Sequence, residues 1–423
     1  MTSLIVWMNG ERVGEWGMLR GGRTPFFRYE ESWLESPHGR ALSLSLPITA
    51  DQEVRGAAVD NYFDNLLPDN AEIRRRIRTR FGTASTEVFD LLTAIGRDCV
   101  GAVQLLPPAE EPAGWDRIDV TPLTENEVGD ILRNVTVAHP LGPAEQEDFR
   151  ISLAGAQEKT AFLHMAGRWF RPHRATPTTH ILKLPFGVIG NFRGDFSDSV
   201  ENEWLCAQLL RALELPVADV AMARFGEQAA LVVTRFDRRS IGADATEVQH
   251  ASFKPRKGAW IARLPQEDFC QAVGLPHTLR CQADGGPSSE DVIALLANSA
   301  QPQRPGGVYV LTPLYDVLSA WPIIGHGRNQ LPLEKAKLAM AVAGRRPHYR
   351  LREITARHWR ELAERTGVAD LWTRMQSFVE SAPGAIDRLG DCLPRGFPER
   401  VYTTVQEGVR AQAQRFAQTM SAS

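Results

Sequence analysis

Residues 179–184 read Thr-His-Ile-Leu-Lys-Leu, an apolar strand pattern with a lysine set inside it. An ammonium among Ile181, Leu182 and Leu184 can be buried only beside a counter-charge, because an unpaired buried cation is costly. A fold that contains this strand must therefore bring an acid from elsewhere. The next helical pattern, Ser199–Leu213, carries Glu201 and Glu203, with Val200, Trp204, Leu205, Leu209 and Leu210 on or near one side. Ala229–Phe236 follows as a continuous apolar run ending in Thr234-Arg235-Phe236, the pattern of a buried strand. The competing reading puts Lys183 at a strand edge with its head in water.

Upstream lies ISLAGAQEKTAFL, residues 151–163. Gly155 disfavours a helix interior, and no Asn-Gly or Asp-Gly marks a tight hairpin. Ala154, Gly155 and Ala156 carry no side chain large enough to hold an anion away from their backbone N–H groups, and Lys159 and Thr160 also suggest an anion. The loop is not a Walker A motif, since Glu158 stands where a second glycine is required. By local pattern alone, an ordinary turn between strands explains it as well. Taken together, the order of loop, lysine strand, acid-bearing helix and apolar strand resembles that of a kinase N-lobe. There the strand lysine holds phosphates and a helix Glu orients it. Thr234, Arg235 and Phe236 then form the hinge that meets adenine.

The chain has 423 residues, too many for one ordinary core, so two or three domains or subdomains are expected. No apolar run approaches the roughly 18 residues of a membrane span. The start, MTSLIVWMNGERVGEW, lacks the pattern of a signal peptide, so a cytoplasmic location is expected. Cys99, Cys206, Cys270, Cys281 and Cys392 form no CxxC pair and are expected to be buried free thiols. A net charge of −3 gives no global field for nucleic acid or anionic membrane. Arg74-Arg75-Arg76 with Arg78 and Arg80 fall at helical spacing and read as a solvated face.

Along the chain, residues 4–29 look β-rich, with Asn9-Gly10 as a hairpin turn. Val59, Tyr62, Phe63, Leu66 and Leu67 share one helical face, which Pro68 stops. Further helices are expected over Ala71–Phe81, Val88–Ile95 and Glu125–Asn134, with a turn-rich linker at 107–114. Trp169-Phe170 and residues 179–184 read as strands of an antiparallel sheet. Beyond residue 255 the chain reads as helical, with pieces at Trp359–Glu364, Leu371–Ser381 and Tyr402–Gln418.

Ten segments, in order over nearly the whole chain, carry a resemblance. They are SLSLPI (43–48), FDNLLPD (63–69), IGRDCVGAV (95–103), FRISLAGAQEKTA (149–161), TPTTHILKLP (176–185), RFDRR (235–239), RLPQEDFCQ (263–271), DGGP (284–287), LTPLYDVLSAWP (311–322) and KLAMA (337–341). As a set they resemble the HipA family, serine/threonine-protein kinase toxins of type II toxin–antitoxin systems. The resemblance implies an α+β, two-lobed, protein-kinase-like (HipA-like) fold with an N-terminal α/β subdomain and a helical C-lobe. It divides the chain into an N-terminal HipA subdomain (1–106), a linker and helix (107–148), a kinase-like N-lobe with the nucleotide loop (149–240) and the C-lobe (241–423). It makes Leu153, Ala154, Gly155, Ala156, Gln157 and Glu158 the phosphate loop and Lys183 the phosphate-binding lysine. Thr234, Arg235 and Phe236 match the hinge, with Thr234 where the family carries an acid. Tyr315 and Asp316 match the metal-binding segment, Asp316 being the Mg2+ ligand, and Ser152 matches the autophosphorylated serine. ATP and Mg2+ are the implied cofactors. The implied partners are a HipB-like DNA-binding antitoxin, operator DNA mainly through that antitoxin, and a protein substrate, in the family an aminoacyl-tRNA synthetase. Growth arrest, or persistence, is the implied outcome.

One stretch departs from the pattern. The family carries a core helix and a catalytic loop, Asp-Gly-His-x-x-Asn, between the segments matched by DGGP and LTPLYD; here QPQRPGG (301–307) stands in its place. No catalytic base or second metal-binding Asn is identified between Asn298 and Leu311, and Glu290, Asp291 and His326 read as surface residues. Asp60 and Asn65 of DNYFDN read as packing and capping groups. The expectation is a toxin kinase with weakened or absent transfer. The alternative is an ATP-binding module acting through antitoxin and operator without catalysis. A metabolic small-molecule kinase has only the shared phosphate-handling logic behind it, since fold does not fix substrate.

Overall fold

A computed structural model of the protein describes residues 3–19, 24–136, 152–155, 157–190, 193–242, 258–299, 309–343 and 346–421. Strands β1 (Ser3–Met8) and β2 (Glu11–Met18) form the hairpin that Asn9-Gly10 announces. Both turn residues have positive φ, 47° and 85°, as a tight two-residue turn requires. With β3 (Pro25–Tyr29), β4 (Glu53–Arg55) and β5 (Gln104–Leu106) they make an antiparallel sheet in the order β4-β3-β2-β1-β5. Trp16 from this sheet stacks on Phe63 of helix α2 (Ala57–Asp64) at 4.0 Å between ring centroids. A short helix, α1 (Glu31–Glu35), α3 (Ala71–Phe81) and α4 (Val88–Ile95) complete this unit. The sequence places α3 and α4 at these bounds. It overextends α2, which ends at Asp64, while Leu66 and Leu67 reach the same core from the following turn.

The second sheet is antiparallel, in the order β12-β13-β9-β7-β8-β6. Its strands are β6 (Val120–Leu123), β7 (Lys159–Met165), β8 (Arg168–Pro172), β9 (His180–Lys183), β12 (Val220–Phe225) and β13 (Gln228–Thr234). A small hairpin, β10 (Gly187–Ile189) with β11 (Gly194–Phe196), follows β9. Residues 120–135, read from sequence as part of a linker and helix, give this sheet its edge strand β6 and helix α5 (Glu125–Val135). Val128 and Leu132 of α5 pack with Phe162, Leu182 and Phe225 in one core. At Gly129 the helix comes so close to β12 that an added Cβ would lie 2.7 Å from the Phe225 carbonyl oxygen.

Helix α6 (Ser199–Ala212) joins the lobes. Val200 packs with Leu231 and Val233 of the sheet, while Leu205 packs with Ile386, Val401 and Val405 of the C-terminal helices. The C-terminal part holds α7 (Phe269–Val273), α8 (Ser289–Ser299), α9 (Ala356–Thr366), α10 (Leu371–Gly390) and α11 (Glu399–Ser421). It also holds two hairpins, β14 (Arg238–Ile241) with β15 (Trp260–Arg263) and β16 (Lys337–Ala343) with β17 (Pro347–Arg350), against the helical expectation beyond residue 255. Helix α10 passes through Pro383 and runs beyond the expected Ser381 end. Of the cysteines, Cys99, Cys206 and Cys270 are buried, but Cys281 is half-buried and Cys392 exposed; all are free thiols. Among the described residues no helix is long and apolar enough to cross a membrane.

The N-terminal unit is tied to residues 267–280. Ser43 Oγ donates to Glu267 and Ser45 Oγ donates to the Gln271 carbonyl at 2.5 Å. Asn61 and Asn65 donate to the carbonyls of Gly274 and Leu275, and Arg280 pairs with Asp69. Replacing Gly129 with Val tests the α5 contact. Helix propensity gains only a few tenths of a kcal/mol, whereas overpacking costs about 1–3 kcal/mol. Urea unfolding of Gly129→Val should therefore show a net loss of stability.

Candidate nucleotide site

Lys183 ends β9 with its side chain buried. Its Nζ donates to Glu203 Oε1 at 2.6 Å and also pairs with Asp316. Of the two sequence candidates the structure selects Glu203. Val200, Glu203 and Ala207 recur at helical spacing on the buried face of α6, while Glu201 is half-buried one position away from Val200. Burial pulls the Lys183 ammonium below the ordinary lysine value, and Glu203 works against that shift. Asp316 sits at φ 57°, a left-handed conformation that Asp tolerates better than most residues, with its side chain about half exposed. Its segment is pinned from two sides. Leu314 N–H donates to the Pro216 carbonyl at 2.9 Å, and Asn202 of α6 exchanges two hydrogen bonds with the Ser319 backbone.

The loop before β7 leads into the strand that pairs with the Lys183 end of β9. Gly155 has φ 106°, bridges to Pro68, and accepts from Asp69 N–H at 3.2 Å. A Cβ there would lie 2.8 Å from Lys159 Nζ, the movable end of a flexible side chain, so it is the backbone conformation that favours glycine. Lys159 opens β7 directly opposite Lys183 in the strand register. Among the described residues it has no hydrogen bond or ion pair from its ammonium. Burial and then the charge of Lys183 push it down to about 8, with Asp69 and Glu203 opposing. Gln157 donates to the Leu184 carbonyl at 2.6 Å, and Glu158 pairs with Arg76. Leu153 is buried, Ala154 half-buried, and Ala156 lies outside the described residues. Ser152 is fully buried; its Oγ donates to the Leu66 carbonyl at 2.7 Å and its N–H to the Asp98 carbonyl at 3.1 Å. The arginine run of α3 is thus not a free solvated face: Arg76 holds Glu158, and Arg74 pairs with Asp64 at 2.7 Å.

At the end of β13, Thr234 is exposed, and the Phe236 and Tyr315 rings lie 5.5 Å apart. The N–H groups of Thr234 and Arg235 are already spent on the carbonyls of Asp219 and Thr179. The Phe236 and Tyr315 rings give this segment an aromatic face beside the exposed Thr234 side chain. The Arg235 guanidinium is committed elsewhere, donating to Asp237, to Thr178 Oγ1 at 3.0 Å and to the Cys99 carbonyl at 2.9 Å. It belongs to a buried cluster in which Asp98 and Asp237 meet Arg235, Arg238 and Arg263.

Sequence reasoning did not assign Lys159 to the phosphate loop or mark Asp98 and Asp69. For Lys159 the missing signal is strand register, which sets it across from Lys183. Residues 300–308, where the family's catalytic loop is expected, lie outside the described residues. Glu290 pairs with Arg365, Asp291 accepts from Ser288 N–H at 2.8 Å, and His326 is exposed. Asn65 donates to the Asn61 carbonyl at 2.8 Å. Among the described residues no group of three or more His, Cys, Asp or Glu side chains is placed to hold a metal.

A lysine–glutamate pair beside a glycine loop, on an antiparallel sheet joined to a mainly helical lobe, defines an α+β, kinase-like protein. Residues 4–106 match the HipA N-terminal domain and residues 151–305 the HipA-like C-terminal domain. The chain is 32% identical over 423 residues to "Putative kinase Y4mE" of Sinorhizobium fredii, with 91% of each chain covered. It is 28% identical over 276 residues to the serine/threonine-protein kinase toxin HipA of Shewanella oneidensis, covering 65% of this chain and 56% of that one. In fold it matches a chain of the Shewanella oneidensis toxin–antitoxin complex of HipA, HipB and operator DNA. That match has a TM-score of 0.73 and 20% identity, over 99% of this chain and 98% of the other. The chain belongs to the HipA family.

The buried cluster makes a prediction about acid. Burial alone would raise both carboxyls, but the neighbouring guanidiniums hold Asp98 far below the usual carboxylate range and Asp237 at about 2. Carboxyls with lowered folded values contribute stability that is fully present above the ordinary Asp value, near pH 4. It is lost as pH falls through the folded values. Urea midpoints should therefore drop as pH is lowered from 4 to 2.

Proposed function

We propose that the chain binds ATP with Mg2+ in the site between Gly155 and Lys183, as a HipA-type toxin kinase for a serine hydroxyl in a protein. The observation that carries this reading is the buried Lys183–Glu203 pair, with a second ammonium, Lys159, facing it beside a glycine loop. Two ammoniums and the backbone of 153–158 would gather the phosphates, while Phe236 and Tyr315 would flank the base. Lys183 trades part of its contact with Asp316 for phosphate oxygens, and Glu203 keeps its head in place. The half-exposed Asp316 fits one metal contact; Mg2+ bound there would neutralise charge on the phosphates.

Transfer to a hydroxyl also needs a group to accept its proton, and of the two carboxylates beside Lys183 this reading gives Glu203 to the lysine and Asp316 to the metal. Loss of general-base help is worth about 10²–10⁴-fold in rate. The reading is therefore of nucleotide binding with slow transfer. Phosphorylation of Ser152 would require the loop to leave its present place, because the hydroxyl is buried against Leu66. The family resemblance supports a HipB-like antitoxin as partner, operator DNA reached mainly through it, an aminoacyl-tRNA synthetase as target, persistence as outcome and the cytoplasm as location. The second reading, a binding module that acts through antitoxin and operator without catalysis, is favoured by the missing Asp-Gly-His-x-x-Asn motif.

Calorimetry with MgATP tests the site: the full chain should bind, and Lys183→Met should weaken binding at least about tenfold, roughly 1.4 kcal/mol. Radiolabelled ATP with the purified chain separates the two readings, slow incorporation at Ser152 supporting the kinase and none supporting the binding module. Lys159 adds a pH signature. A lysine lowered to about 8 is half neutral amine at pH 8, and that fraction takes up a proton when phosphate arrives beside it, so binding at pH 8 should take up about half a proton. Binding enthalpies in buffers of different ionisation heat should reveal this uptake, with less at pH 7, and affinity should fall as pH rises to 9.

A further inference from the structure

The start of the phosphate loop, at Ser152 and Gly155, is held by the N-terminal subdomain, while Gln157 and Glu158 at its end are held by Leu184 next to β9. Leu66 accepts from Ser152 Oγ, Pro68 bridges to Gly155, Asp69 N–H donates to the Gly155 carbonyl, and the Asp98 carbonyl accepts from Ser152 N–H. Only Asp98 among these also reaches the hinge. Its Oδ2 accepts from Thr178 N–H at 3.0 Å, from Thr178 Oγ1 at 2.6 Å and from Arg235 at 3.4 Å. Its Oδ1 accepts from Arg238 at 2.8 Å and Arg263 at 3.3 Å. The neighbouring Gly101 N–H donates to Asp237 at 2.7 Å and the Cys99 carbonyl accepts from Arg235 at 2.9 Å, so the IGRDCVGAV turn grips the hinge cluster at Asp98, Cys99 and Gly101.

Resting on the nucleotide reading above, we infer that Asp98 is a positioning residue for the nucleotide site. Through its carboxylate the N-terminal subdomain fixes the hinge end of β13, and through its carbonyl the start of the phosphate loop. The two contacts belong to one residue, so the spacing between the base-flanking and phosphate-binding halves of the site is set from outside the kinase-like lobe. A purely structural ion cluster would affect stability alone. A positioning residue affects nucleotide affinity and the order of both segments as well.

Removing the Asp98 charge alone leaves three buried guanidiniums facing one carboxylate, and Asp98→Asn could fail to fold for that reason. The double variant Asp98→Asn with Arg263→Gln avoids this. Three arginines against two aspartates become two against one, the same surplus, and among the described residues no hydrogen bond or ion pair joins Arg263 to hinge residues 234–236. Thr178→Val is the milder second variant, since it removes the hydroxyl between Asp98 and Arg235. Glu53→Gln is the stability control, as Glu53 is buried in the first sheet between Arg28 and Arg55. Two readouts are taken on the full chain: MgATP affinity by calorimetry, and amide hydrogen exchange at Ser152 and Arg235.

The double variant, folded by circular dichroism, should bind MgATP at least tenfold more weakly and exchange both amides at least tenfold faster. The Glu53 control should keep wild-type affinity and protection at those amides. Wild-type affinity and protection in the folded double variant would overturn the inference. If the double variant does not fold, Thr178→Val is judged on the same two readouts. If the unaltered chain binds no MgATP, the nucleotide reading fails by itself. Exchange then decides whether Asp98 positions the two segments, unchanged protection overturning that claim.

Discussion

The fold is organised around an ammonium that has to be buried. Lys183 lies on a central strand of the second sheet, where desolvation works against its charge. Only a carboxylate held at hydrogen-bonding distance makes that position tenable. Glu203 supplies it, and this requires α6 to lie across the sheet with Val200 and Glu203 facing inward. Once α6 is placed, the residue just before Glu203 is not free to vary either: Asn202 brackets Ser319 and so sets where Asp316 can sit.

The other half of the site depends on an interlock between distant segments. Residues 43–45, 61–69 and 95–101 of the first unit grip residues 267–280, the Arg235 cluster and the loop at Ser152–Gly155. These are the stretches that stand out in the sequence as SLSLPI, FDNLLPD, IGRDCVGAV and RLPQEDFCQ. Polar residues such as Ser43, Asn65 and Asp98 look idle in one dimension because they pair with partners more than 80 positions away.

Much of the architecture was legible because it is local. Helical pattern gave α3 and α4, and the order of loop, lysine, acid and apolar strand gave the Lys183–Glu203 pair as one of two choices. Register was not legible. Nothing in EKTAFL says that Lys159 faces Lys183, and nothing in TRFDRR says that Arg235 turns toward Asp98. The strand β16, KLAMAVA, is built mostly from Leu, Ala, Lys and Met, which favour helix as readily as sheet; its pairing with β17 decides the matter. Residues 120–135 read as a connection because β6 is short and contains a proline, and it is the pairing of β6 with β8 and the packing of α5 that assign them to the second sheet.

The second sheet ends in two unlike margins. At one, β6 carries Pro122, which has no N–H to offer an incoming chain. At the other, β12 is a six-residue strand with an exposed Arg224, and among the described residues no strand pairs with its outer side. A charge on a short strand is a common guard against sticky self-association. Recruitment of a neighbouring polypeptide by sheet extension is thus blocked at one margin by covalent chemistry and discouraged at the other by one guanidinium.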